Sequence, residues 1–155
     1  MNRRILAHTL RERELIGREQ VGSDRRITSI AARNLGRNAQ ERGDLEAAEV
    51  NYRRALELLA EGTEKENDPM LASSVRLDLI RVQIERGNLD DAEAILREEI
   101  ADLDAQQGSA RDAFLADASD LYVDLLVRRG RTEEATKWKA KSRSLREKLG
   151  DVDEP

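Results

Sequence analysis

Apolar residues recur along this chain at helical spacing, in blocks separated by single glycines. Ile27, Ile30, Ala31 and Leu35 precede Gly43, and Ala48, Tyr52, Ala55, Leu56 and Leu59 follow it. Before Gly87 there are two stripes: Leu71, Val75, Leu79 and Val82 form one, and Leu77, Ile80 and Ile84 the other. A helix that is apolar on two faces belongs between neighbours, as in the interior of a stack of helices. Leu115, Leu121, Tyr122, Leu125 and Leu126 precede Gly130. The last block has a single stripe, Ala135, Trp138, Ser142, Leu145 and Leu149. Its other faces carry Lys137, Lys139, Lys141, Arg143, Arg146 and Lys148, which suits a terminal cap.

The turns between blocks repeat. Arg42-Gly43-Asp44-Leu45-Glu46-Ala47-Ala48-Glu49, Arg86-Gly87-Asn88-Leu89-Asp90-Asp91-Ala92-Glu93 and Arg129-Gly130-Arg131-Thr132-Glu133-Glu134-Ala135 share one order of residue types. Their glycines lie 44 and 43 residues apart. Glycine ends a helix because it tolerates the left-handed conformation. Asp44, Asn88 and Thr132 are then expected to cap the next helix, with acids in its positive first turn. Ala48, Ala92 and Ala135 are small where two helices must approach. Each motif therefore predicts helix, tight turn, helix. The longer junctions, 61–69 and 104–109, predict an N-cap at Asp68 before Pro69, and another at Ser109.

Composition agrees with helices. Of 155 residues, 38% are charged and 39% hydrophobic, with one Trp, one Phe and two Tyr. Pro69 and Pro155 are the only prolines, so long stretches can be helical. No cysteine is present, which excludes disulfides, thiolate nucleophiles and cysteine metal sites. The net charge of -5 argues against general nucleic-acid binding. No run approaches a membrane span, and the apolar run at the N-terminus is too short for a signal peptide. A soluble, cytoplasmic protein without membrane insertion is expected. The one histidine, His8, carries no catalytic constellation around it, and the glycines punctuate helices rather than form a phosphate loop. Asp117, Asp120 and Asp124 make an acidic row, but a hard cation needs oxygen ligands converging from several elements. No catalytic residue, metal ligand or cofactor is expected.

In the first repeat, Leu35-Gly36, Ala48, Tyr52 and Ala55 occupy the signature large, small and aromatic positions of the tetratricopeptide repeat, and the chain resembles that family. The second repeat keeps Leu79, Ala92 and Leu96, with Ile80 and Glu99 at positions that are small in the family. The third keeps Ala135, with Val123 and Lys139 at other signature sites. The period exceeds the usual ~34 residues and looks more like the longer repeats of kinesin-light-chain type. The resemblance implies an all-α, right-handed α-solenoid of antiparallel helix pairs. It would have about three repeats (27–62, 69–106, 110–149) within a domain 23–150, and about seven helices. Residues 1–22 are expected to form an N-terminal helix, which caps the first repeat or completes a half-repeat. There Ile5 and Ile16 share a face, with Leu6 and Leu10 beside it. A partner-binding or swapped helix is the alternative. Residues 151–155 form an acidic tail.

The resemblance also implies a function: holding a peptide or helix of a partner protein against the first helix of each pair. In the family register that groove takes Ile30, Arg33, Asn34, Arg37 and Glu41 from the first repeat. The second offers Ser74, Leu77, Asp78, Arg81 and Ile84, and the third Asp117, Asp120, Leu121, Asp124 and Val127. The groove would run from arginine to aspartate, with apolar anchors between. Asp117 and Leu121 stand where a carboxylate clamp of chaperone-adaptor type would need basic groups, so that clamp is not expected. Two other readings remain open: a self-associating module of a larger assembly, including a homo-oligomer, and a peptide-sensing regulatory module.

Overall fold

The computed structural model describes residues 24–62 and 68–150. Among the described residues there are six helices and no strand. They are α1 (24–41), α2 (Leu45–Ala60), α3 (Pro69–Arg86), α4 (Leu89–Asp104), α5 (Ser109–Arg128) and α6 (Thr132–Leu149). The expected helix over 1–22 and the acidic tail lie outside the described residues, as does His8.

The three Arg-Gly turns fold alike. Gly43, Gly87 and Gly130 have φ of 76°, 79° and 73°, the left-handed region that a side chain resists. Each turn reverses the chain into an antiparallel neighbour. Asp44 and Asp68 cap as expected, accepting from the backbone N–H groups of Ala47 at 3.1 Å and Leu71 at 3.0 Å. The other caps differ. Asn88 occupies the N-cap position but turns its amide onto Gln83 Oε1, at 2.8 Å. Arg131 and Gly108 take the cap positions expected of Thr132 and Ser109, which are instead the first helical residues.

Hydrogen bonds between pairs show the stacking. Arg26 reaches Asp68, Arg33 reaches Asp78 and Gln40 reaches Glu85, at sequence separations of 42, 45 and 45. A near-constant separation means that α1 and α3 run parallel, side by side, one repeat apart. Contacts across α5 and α6 have a near-constant sum of residue numbers instead, Arg146 with Asp117 and Ser142 with Asp120, so that pair is antiparallel. The chain is a helical repeat stack in which α1, α3 and α5 are the first helices, and α2, α4 and α6 the second.

The two stripes of α3 enter two different cores. Val75, Leu79 and Val82 pack with Tyr52, Ala55 and Leu59 of α2. Leu77, Ile80 and Ile84 pack with Leu96 and Ile100 of α4 and with α5. The sandwiched position read from the sequence is thus observed.

The stripe of α1 requires correction. Its buried residues are Ser29, Ala32, Gly36 and Ala39, while Ile27, Ile30, Ala31 and Leu35 are exposed. Small residues win the buried face because α2 sets a large ring against it. A Cβ at Gly36 would stand 2.7 Å from the Tyr52 ring. Ser29 Oγ, also buried, donates to the Ala55 carbonyl at 3.0 Å. In the second repeat the bulk is redistributed, with Ile80 in place of Gly36 and Leu96 in place of Tyr52, both fully buried.

A second sequence feature changes meaning. Glu99 stands where the first repeat has Ala55, and it is fully buried. Arg76 of the neighbouring α3 meets its Oε2 at 2.6 Å, whereas Oε1 has no partner among the described residues.

Gly36→Ala should destabilise the protein by roughly 1–2 kcal/mol, because overpacking outweighs the gain in helix propensity. Chemical denaturation measures this. Adding Tyr52→Leu should recover part of the loss, since it recreates the Ile80–Leu96 division of volume.

Candidate interaction face

The face shared by α1, α3 and α5 is where the expected groove residues come together, but not all of them. Leu77 and Ile84 do not line it. They are 4% and 1% exposed and point toward the next repeat, where α4 and α5 cover them. The helical wheel explains the error. Both belong to the stripe that makes α3 a two-sided core helix, and one side chain cannot serve both the core and the groove. Asn34, Arg37 and Glu41 of α1, Arg81 and Glu85 of α3, and Asp117, Asp120, Asp124 and Val127 of α5 are exposed. Ile30 is exposed at 37%. Arg33, Ser74, Asp78 and Leu121 are half-buried.

The expected gradient from arginine to aspartate is largely neutralised by internal pairs. Arg33 Nε donates to Asp78 at 2.8 Å, and Arg81 meets the same carboxylate at 3.2 Å. At the far end, Arg146 of α6 donates to Asp117 at 3.1 Å and also to Asp120, which accepts from Ser142 as well. The hydrogen bond to Asp120 holds the Arg146 guanidinium above its ordinary pKa. Asp124 is paired within its own helix, with Arg128 at 3.0 Å. These carboxylates are occupied by cations, and among the described residues no acidic cluster has the arrangement of a metal site. Of the expected charged groove residues, Arg37 and Glu41, one helical turn apart on α1, have no ion pair among the described residues.

Behind the basic end lies a chain of polar groups across three helices. Tyr52 of α2 donates to Gln40 Oε1 at 3.0 Å, and Gln40 Nε2 donates to Glu85 at 2.9 Å. Burial, aided by the nearby Asp78 carboxylate, pushes the Tyr52 hydroxyl up to about 12, against weaker lowering by Arg33, Arg37 and Arg81. It therefore remains a donor and fixes the Gln40 amide, which orients the α1–α3 contact.

Other ionic residues, not singled out in the sequence, tie repeat to repeat. Glu49 of α2 is buried and accepts from Gln83 at 2.8 Å and from Arg86. Glu93 of α4 is buried in the equivalent place. It accepts from Tyr122 at 3.1 Å, from Arg131 at 2.9 Å and from Arg97 at 2.7 Å, and Arg129 lies 3.5 Å away. Burial alone would raise the Glu93 carboxyl. The hydrogen bonds from Arg131, Arg97 and Tyr122 outweigh it and hold Glu93 below its ordinary value. A signal for this lock existed: both glutamates stand six residues after a repeat glycine, and Arg86 and Arg129 directly before one.

Residues 39–112, just under half of the chain, match the family model of the tetratricopeptide repeat. That stretch is similar to a family whose repeats generally mediate protein–protein interactions. No curated protein and no solved structure matches the chain. No described helix is long and apolar enough to cross a membrane.

A carboxylate held low contributes stability above its ordinary pKa and loses it as the pH falls. Thermal stability should therefore decline as the pH drops below about 4.5. In Glu93→Gln, stability should be lower at neutral pH and the acid decline shallower. Melting curves between neutral pH and pH 3 check both.

Proposed function

We propose that this chain is a non-catalytic, cytoplasmic adaptor that lays an extended peptide or a helix of a partner protein across α1, α3 and α5. In this reading it is a right-handed solenoid of the longer-period, kinesin-light-chain kind, in keeping with glycines 44 and 43 residues apart. The observation that carries the proposal is the parallel alignment of first helices, with side-chain rows that face solvent, in a stretch similar to tetratricopeptide repeats. Three parallel helices repeat the same positions at regular intervals. An extended ligand can meet these one after another.

The charge state of the face selects the ligand. Arg37 is exposed and unpaired among the described residues, and Arg81 is shared with a carboxylate that Arg33 also holds. The aspartates at the other end are neutralised by Arg146 and Arg128. The local attraction beside Arg37 and Arg81 is thus for an acidic group of the ligand, with exposed Glu41 and Glu85 bounding it toward the turns, and with Ile30, Leu121 and Val127 as apolar contacts. Such pairs at a rim chiefly set orientation and on-rate.

Selection from a displayed peptide library should enrich acidic segments with one or two apolar residues. The double variant Arg37→Glu, Arg81→Glu should bind an enriched peptide at least about tenfold more weakly, equivalent to ~1.4 kcal/mol. Enrichment without charge bias, or binding unchanged in the variant, would overturn the proposal.

A further inference from the structure

The outer row of α1 stands where the other first helices form joints. Counting back from each repeat glycine, Ala31, Leu35 and Asn38 correspond to Val75, Leu79 and Val82 of α3, and to Ala118, Tyr122 and Leu125 of α5. Those six are buried, the first three against α2 and the others against α4. On α1 the row is open: Leu35 is 60% exposed, and Ile27, beside it, 62%. It is also more polar than the joints. Asn38 stands in place of Val82 and Leu125, and Thr28 in place of Ala72 and Leu115. A row of that kind suits a contact that forms and separates.

The two ends of the row carry opposite charges. Arg42 is the equivalent of Arg86 and Arg129, which lie against Glu49 of α2 and Glu93 of α4. Arg42 is exposed and has no ion pair among the described residues, and the same holds for Asp24 at the other end of α1. Asp24, Thr28, Ala31, Leu35, Asn38 and Arg42 are all exposed, at spacings of four, three, four, three and four residues. This alternation keeps them on one side of the helix. It also reads the same in both directions, so a second α1 laid antiparallel meets the row in register. Arg42 then faces Asp24 at both ends, Asn38 faces Thr28, and Leu35 faces the small Ala31.

We infer that α1 is the interface of a homodimer, in which two copies of this helix lie antiparallel about a two-fold axis near position 33. Charge complementarity assigns the face to a second copy: a two-fold contact must be complementary to itself, and this row is. The two Arg42–Asp24 pairs and the two Asn38–Thr28 pairs set register and orientation. The apolar share of each copy is Ile27, Ala31 and Leu35, so the interface is small and the association weak and reversible. The row lies roughly a third of the way round the helix from Arg37 and Glu41. Dimerisation therefore leaves both α1–α3–α5 faces open, and a ligand with two binding segments gains from the effective concentration of the second face.

Sedimentation equilibrium of the full chain at low salt tests this, with folding followed by circular dichroism. The mass should rise from one chain of 17.5 kDa toward two between about 1 μM and about 1 mM. Leu35→Asp, at an exposed position, should weaken association at least about tenfold. Arg42→Glu alone and Asp24→Lys alone should each weaken it, because both ends of the dimer then oppose like charges. Mixed in equal amounts, these two variants should associate about as tightly as the unaltered chain, since every pair across the axis is again opposite in sign. A mixture no tighter than the separate variants would overturn the inference, as would association unchanged by Leu35→Asp. A chain that stays monomeric to about 1 mM would overturn it as well. In that case the thiol of Leu35→Cys reports the occupant: slow reaction with a disulfide reagent gives the row to the same chain, and fast reaction leaves it to a foreign partner.

Discussion

The carboxylate that α2 and α4 each bury against the following turn is the interaction on which the stacking depends. Glu49 and Glu93 lie inside the joint between repeats, where an unpaired charge would be costly to bury. Each is met from the next repeat by a cation and a neutral donor: Glu49 by Arg86 and Gln83, and Glu93 by Arg131 and Tyr122, with Arg129 beside it. Apolar stripes alone tolerate sliding by a helical turn. A buried carboxylate with directional donors resists it, because another register would leave Glu49 and Glu93 only the arginines of their own helices, Arg53 and Arg97. The lock ends at α6, where Thr136 occupies the place of the glutamate and turns its hydroxyl back to its own backbone. α6 therefore lacks the carboxylate that α2 and α4 carry at this position.

Packing volume is distributed to suit the same repeat. The first pair sets glycine against tyrosine, and the second sets isoleucine against leucine. The tyrosine has a second use, since its hydroxyl passes through Gln40 to Glu85 and so couples α2, α1 and α3. Glu99 is the exception to an otherwise apolar position: it is fully buried and held through one oxygen by Arg76. Its other oxygen has no partner among the described residues, and the structure offers no physical account of that.

The face of α1, α3 and α5 is correspondingly less polar in effect than its residue types suggest. Aspartates of α5 are drawn to Arg146 of α6 and Arg128 of α5, and Arg33 is drawn to Asp78. Charges that look like a ligand gradient along the chain are in large part the stitching between helices. What remains available is Arg37 and Glu41 on α1 and the exposed Arg81 on α3, and the proposed acidic contact is placed beside the two arginines.

The sequence by itself determined the helical class, the period and the turns, because these rest on local causes. Glycine at the left-handed position, aspartate or proline at a helix start, and spacing of three and four are read within a few residues. It also showed that α3 is covered on two sides. Only the tertiary structure decided which residues those sides bury. Leu77 and Ile84 went to the core rather than the groove, and Ile27 and Leu35 to the surface rather than the core. Periodicity gives a face but not its neighbour, and on α1 the side chains opposite Tyr52 must be small, so its large ones point elsewhere. The partners of Arg33, Arg146, Glu49 and Glu93 were hidden for the same reason. Their partners on other elements lie 26 to 45 residues away in the chain, a separation at which only the packing of whole helices brings such groups together.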